Sequence, residues 1–301
     1  MSAIIETQNL SKQYGSSYAV NNASFAVESG EVVGFVGLNG AGKSTTINML
    51  LGFQKPSSGE VLLFGEKVTL PNAYKSHRRL GFATGDMSLF DGMTGRRYLK
   101  FVARSYGQAI DTEKFKQLCD RFEPQLDKKL SALSRGNKQK IALIAAFMTN
   151  PELVILDEPS SGLDPLMQQN FLELVREESQ KGTTIFMSSH YLNEVADVCT
   201  RILLIKNGEL VKDIPAIELE ASAGKLVRVV TKQSVSEPKS AEKVERSTTE
   251  AGHVLEFIYK GKALRLQEWL GTLPHLLDVT ITDHTAEAAF EALYKEESDN
   301  V

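Results

Sequence analysis

An apolar run at residues 31–36, Glu-Val-Val-Gly-Phe-Val, leads straight into Gly37-Leu38-Asn39-Gly40-Ala41-Gly42-Lys43-Ser44-Thr45, and this junction restricts the chain more than any other feature. The nine residues fit the phosphate loop Gly-x-x-x-x-Gly-Lys-Ser/Thr, which needs a buried strand before it and a helix after it. Gly37, Gly40 and Gly42 are expected to take positive φ and turn successive amides inward as an anion nest. A helix starting near Lys43 adds its positive end. Lys43 is then placed to meet the β and γ phosphates and the Ser44 hydroxyl to ligate Mg²⁺, while Asn39, Ala41 and Thr45 belong to the same nucleotide cradle. Four fixed positions coincide by accident in about one chain of this length in a hundred. The motif implies a bound nucleoside triphosphate.

The rest of the chain supplies a setting for that loop. At 301 residues it is long enough for two domains, and 42% apolar with 24% charged residues is an ordinary globular balance. A net charge of −4 gives no polybasic reason to expect nucleic acid as a partner. Cys119 and Cys199 lie on expected helices with no Cys-x-x-Cys or His neighbour, so a reduced compartment without disulfide or zinc fits best. The longest apolar stretch, residues 141–148, is far shorter than the ~20 residues that cross a bilayer, and residues 1–6 do not resemble a signal peptide. A role at a membrane would therefore come through a separate protein.

Residues 4–10 and 19–27 read as strands around a turn at 14–17, which suggests an antiparallel layer. The helix after the phosphate loop should end at Gly52, and a strand at 60–64 should be bounded by Gly59 and Gly65. From about 87 to 135 the period becomes helical, with Leu99, Val102, Ala103 and Tyr106 on one face and Phe115, Leu118, Cys119 and Phe122 on another. This reads as an inserted helical subdomain. Alternation then resumes: helix 138–148, strand 153–156, helix 165–179, strand 183–187, helix 191–198, strand 201–205. Such alternation implies an α/β fold with a mostly parallel sheet, ligands sitting at the carboxyl ends of its strands. A boundary near Pro215 divides a domain at 1–214 from a small α+β domain at 215–301, with strands at 226–231, 253–259 and 277–281 and helices at 263–270 and 285–294. Polar residues 232–250 read as a loose excursion, and Trp269 as packing.

Four apolar residues, 153–156, carry Asp157 and Glu158 to the tip of a buried strand, where carboxylates are costly unless a cation or other partner is near. Asp157 can hold Mg²⁺ and Glu158 can orient and deprotonate an attacking water. Upstream, Leu133-Ser134-Arg135-Gly136-Asn137 opens a helix, with Ser134 as a natural N-cap and Gly136 leaving room for a phosphate.

Here the chain resembles the ATP-binding-cassette (ABC) family, whose signature is Leu-Ser-Gly-Gly-Gln; Arg135 and Asn137 depart from it at the third and fifth positions. The resemblance spans residues 4–213 and implies a P-loop NTPase cassette binding ATP and Mg²⁺. It implies that Tyr14 stacks on adenine, that residues 161–164 form the D-loop, and that His190 contacts the γ phosphate. Glu158, His190 and Lys43 would be the catalytic set. Family members usually carry a glutamine where this chain has Gly85-Asp86: either Asp86 supplies an oxygen ligand to the metal or Gly85 is the equivalent and the contact is missing.

The resemblance further implies that two cassettes, identical or different, close head-to-tail so that Ser134 and Gly136 of one complete the phosphate site of the other. With one cassette and no span, the chain is similar to the ATPase subunit of a bacterial exporter, held at the cytoplasmic face of the membrane by a separate permease. An importer ATPase and a soluble or regulatory cassette with weak hydrolysis are the alternatives. The cargo is not legible, because its contacts belong to the permease.

Overall fold

The computed structural model describes residues 3–84, 90–107, 111–218 and 224–283. They form two compact units that divide between Pro215 and Ala216. The first unit begins with a hairpin, β1 (Ala3–Tyr14) and β2 (Ser17–Glu28), and β4 (Ser58–Leu63) and β5 (Glu66–Lys67) complete an antiparallel sheet ordered β2-β1-β4-β5. Its inner face is set by alternation, with Ala23, Phe25 and Val27 buried along β2. The register slips between Val20 and Ala23, where Asn22 takes φ 52°. Gly59 lies inside β4 rather than bounding it, because its φ of 77° serves an irregularity opposite Gln8 and Ser11.

The second sheet carries the chemistry. Strands β3 (Val32–Val36), β6 (Leu80–Thr84), β7 (Leu153–Asp157), β8 (Thr184–Ser189), β9 (Arg201–Lys206) and β10 (Glu209–Pro215) are ordered β10-β9-β3-β8-β7-β6, all parallel except β10. Every residue of β3 and β8 is buried, as parallel strands covered on both faces require. Between the two sheets lies one core, centred on Phe25, Phe35 and Phe186, whose rings are 5.4–6.0 Å apart. Burying each ring contributes roughly 2–3 kcal/mol. That core fixes the height at which the strand ends emerge.

Helices α1 (Lys43–Leu50), α5 (Arg135–Phe147), α6 (Pro165–Gln180) and α7 (Leu192–Val198) connect the strands, with the short α2 (Ala73–His77) before β6. Helix α5 has Ser134 as its N-cap, as expected, and so starts three residues before 138, where its helical pattern places it. The helical insertion holds α3 (Gly95–Tyr106) and α4 (Thr112–Phe122), on which Leu99, Ala103, Leu118 and Phe122 are buried as their spacing predicts. Burial pushes the Tyr98 and Tyr106 hydroxyls up to about 12. One buried ion pair crosses from α4 to α6: Lys114 Nζ donates to Glu178 Oε2 at 2.7 Å and to Asn150 Oδ1 at 2.7 Å. Lys181 Nζ reaches the other Glu178 oxygen at 2.8 Å, so that carboxylate is fully partnered.

The second unit is an antiparallel sheet of β11 (Lys225–Thr231), β12 (Ala241–Thr249), β13 (Gly252–Tyr259) and β14 (Leu276–Asp283), ordered β12-β13-β11-β14, with α8 (Ala263–Thr272). Trp269 packs edge-on against Phe257 at 5.3 Å, beside buried Val227, Val229 and Leu266. The loose excursion at 232–250 is corrected: its second half is β12, an edge strand whose Glu242, Lys243, Glu245 and Arg246 face solvent. The helix expected at 285–294 lies outside the described residues.

Candidate functional site

Three adjacent strands deliver their carboxyl ends to one place. Val36 at the end of β3 pairs with Ser189 at the end of β8, and Asp157 at the end of β7 pairs with Ser188. The residues that follow are Gly37, His190 and Glu158. Strand order alone therefore brings together segments more than a hundred residues apart.

The phosphate loop is shaped as its glycines dictate, with one correction. Gly40 and Gly42 take φ 83° and 111°, but Gly37 is not among the positive-φ residues. What Gly37 avoids is a collision, since a Cβ there would lie 2.4 Å from the Ile205 carbonyl oxygen of β9. Gly42 opens α1, and the Lys43 ammonium folds back to donate to the carbonyls of Gly37 at 2.7 Å and Leu38 at 3.3 Å. Ala41 is buried, while Asn39 and Ser44 are exposed and Thr45 half-buried.

Lys43, Glu158 and His190 form one contact group. Glu158 Oε1 lies 3.2 Å from Lys43 Nζ, and Glu158 Oε2 is 2.5 Å from His190 Nδ1. Lys43 is only 6% exposed, so this attraction is weakly screened. Glu158 holds the uncommon φ of 52°, with its amide donating to Ser188 Oγ at 3.0 Å. The same hydroxyl donates to Asp157 Oδ1 at 2.6 Å, which orients that carboxylate beside the others. Glu158 Oε1 is buried without an aligned hydrogen bond, leaving one acceptor uncommitted.

Ser134, Arg135 and Gly136 are placed against a different segment. Ser134 Oγ accepts from the Asn137 amide at 3.3 Å as the N-cap of α5, and Arg135 Nη2 donates to Ser161 Oγ at 2.6 Å. A Cβ on Gly136 would sit 2.5 Å from the Gly162 carbonyl oxygen. Asp164 N-caps α6 through the Met167 amide at 3.0 Å. Tyr14 is half exposed, its hydroxyl donating to Gln54 Oε1 at 2.7 Å with Lys12 Nζ 5.3 Å from the ring. Its contacts are thus outside the phosphate loop. Gly85 and Asp86 lie outside the described residues.

Sequence reasoning missed Glu194. From α7 its Oε2 accepts from Ser160 Oγ at 2.6 Å and from Ser189 Oγ at 3.4 Å, bridging the chain after Glu158 to the chain before His190. Burial pushes this carboxyl up, Ser160 and Ser189 oppose the shift, and the Glu158 charge adds to it. The only sequence signal was an acidic residue in the first turn of a helix, which ordinarily complements the dipole. A raised folded-state pKa favours the protonated fold. Its stabilisation is complete below the unfolded pKa of about 4.3 and is lost as pH rises through the folded value. Glu194→Gln removes that dependence while keeping an oxygen acceptor. Its melting temperature is expected to gain on the wild type with rising pH and then level off; parallel melts from pH 4 to 8 check this.

The donor set also suits a hard cation. Ser44 is an exposed hydroxyl on the first turn of α1, and Asp157 has a carboxylate oxygen beyond the one bonded to Ser188. Two protein oxygens are what Mg²⁺ usually takes when phosphates and waters fill its other positions. Among the described residues no helix is long and apolar enough to cross a membrane.

The sequence profile of the ABC transporter family matches residues 20–161. The bacitracin transport ATP-binding protein BcrA of Bacillus licheniformis is 37% identical over 220 residues, covering 71% of this chain and 71% of that protein. A protein of the same name from Enterococcus faecalis is 33% identical over 273 residues, covering 89% of this chain and 85% of the relative. A solved structure titled as the ATP binding subunit of an ABC transporter superposes with a TM-score of 0.65 at 29% identity, covering 72% of this chain and 92% of that one.

Proposed function

This chain belongs to the ABC transporter family, and from that premise we propose that it is the ATP-hydrolysing subunit of an exporter, working as one of two cassettes beneath a separate permease. The observation that carries the reading is the contact of Lys43, Glu158 and His190 at three neighbouring strand ends. Lys43 and the loop amides bind the β and γ phosphates, with the positive end of α1 behind them. Glu158 takes a proton from the attacking water, and His190, bonded to the same carboxylate, holds it in line and reaches the γ phosphate. Ser44 and Asp157 would hold Mg²⁺, which would supply charge neutralisation at the phosphates. Tyr14 offers a ring to the adenine, and Ser134 and Gly136 serve the nucleotide of the opposing cassette.

The permease would engage an apolar groove of about 390 Å³ in the first unit, lined by Phe53, Tyr74, Phe82, Phe90 and Phe101. Phe53 and Tyr74 are more than half exposed, which a watery surface disfavours and an apolar partner segment would cover. Export follows relatives that are named for it, the Nod factor export ATP-binding protein I of Burkholderia lata and the SkfA peptide export ATP-binding protein SkfE of Bacillus subtilis, 33% and 32% identical. The chain purified with its permease is expected to turn over ATP well above a Glu158→Gln background, and to co-purify without an external binding protein. Turnover no higher than that background overturns the enzyme, and an obligatory binding protein overturns the direction of transport.

A further inference from the structure

We propose that Arg135 is a positioning residue that couples the two nucleotide sites of an assembled pair. The inference rests on the paired-cassette reading above and adds a route between its sites.

The placement of Arg135 is unfavourable on local grounds. It is the first residue of α5, where the helix dipole disfavours a cation, and the first turn holds no acidic residue to offset it. The side chain is instead committed to residues 161–162. Nη2 donates to Ser161 Oγ at 2.6 Å, and Cγ and Cδ lie 3.1 and 3.2 Å from where a Cβ on Gly162 would stand. Gly162 therefore accommodates the arginine stem, and its φ of 84° suits a glycine in any case. One residue on, Gly136 meets the Gly162 carbonyl with no room for a side chain. Two consecutive residues of each segment are thus fitted to the other.

These segments lead to different nucleotides. Backward from Ser161, its amide donates to the Glu158 carbonyl at 3.2 Å, so the hydrogen-bonded turn begins at the residue that activates water in this chain's own site. On the other side, Ser134 adjoins Arg135 and serves the partner's site. The path Glu158–Ser161–Arg135–Ser134 joins the two with one side-chain hydrogen bond at its centre. Movement of Glu158 when its own site fills is passed through that bond to the serine offered across the interface. By linkage the influence on ATP affinity is reciprocal, so the pair fills cooperatively, and the ATP dependence of turnover reads that filling.

The test uses the chain with its permease and four variants: Arg135→Ala, Arg135→Lys, Ser161→Ala and the alanine double. Both residues are at the surface, so none is expected to unfold the protein. Arg135→Ala should lower kcat about three- to tenfold, the worth of one ordinary solvent-exposed hydrogen bond, and bring the Hill coefficient toward 1. ATP affinity of the isolated chain should not change. Arg135→Lys should restore part of the cooperativity, Ser161→Ala should copy Arg135→Ala, and the double should be no worse than either, because both remove one interaction. A wild-type Hill coefficient in Arg135→Ala, additive losses in the double, or a silent Ser161→Ala beside an inactive Arg135→Ala each overturns the coupling. Absence of ATP turnover in the wild type overturns the enzyme reading instead, so the two failures are distinguishable.

Discussion

Glu158→Gln is expected to lower steady-state ATP turnover by about 10²- to 10⁴-fold, the usual worth of a positioned general base. The same substitution should leave ATP bound. Glutamine keeps the size of the side chain and an oxygen toward His190 Nδ1, which now stands 2.5 Å from Oε2, but it cannot take a proton from water. It also removes a negative charge 3.2 Å from Lys43, so no carboxylate at that position competes with the phosphates for the ammonium. Binding should therefore hold or tighten while chemistry stops, and two chains should remain closed around unreacted ATP. Turnover assays and size-exclusion in ATP check both halves; a variant that hydrolyses within threefold of wild type and elutes as a monomer would falsify the assignment.

Lys43→Ala should fail earlier, at binding. The ammonium is almost wholly buried and donates to two loop carbonyls, so its loss removes the phosphate's cation and the tether that curls residues 37–38 around it. It also strips Glu158 of its positive neighbour, and a carboxylate left so close repels an incoming triphosphate. These losses act in one direction, and affinity for ATP is expected to fall by at least about 100-fold, since a buried charge-assisted contact contributes around 3 kcal/mol. Lys43→Arg should recover little, because a planar guanidinium does not fit where a compact ammonium points at two carbonyls. Calorimetric titration decides it; near-normal affinity in Lys43→Ala would remove the loop from nucleotide binding.

The two variants separate because the chain wrote its binding chemistry locally and its geometry at long range. The phosphate loop was legible because the positive φ of Gly40 and Gly42 and the reach of Lys43 are properties of adjacent residues. Gly37 was assigned the wrong reason, since composition does not distinguish a backbone twist from a β9 carbonyl 2.4 Å from where a Cβ would stand. Glu194 was invisible for a similar cause: Ser160, its closer partner, is 34 residues away. Arg135 was visible as a departure from a motif, yet its partner Ser161 is supplied by the fold 26 residues later. Strand β12 escaped notice because only Ala241 and Val244 pack on the core, three residues apart across a register slip, and the other residues are exposed without alternation. The central sheet was legible for the opposite reason, as β3, β7 and β8 bury nearly every side chain and show as apolar runs.

The Lys114–Glu178 pair places a limit on how this molecule can flex. Separating α4 from α6 would break the Lys114 bond to a carboxylate that is 3% exposed and leave it with Lys181 alone, at a cost of about 1.5–3 kcal/mol, so the joint is closed most of the time. Whatever swing the helical insertion makes over the sheet is therefore rotation around a fixed pin. Displacement grows with distance from the pin, as along any lever arm.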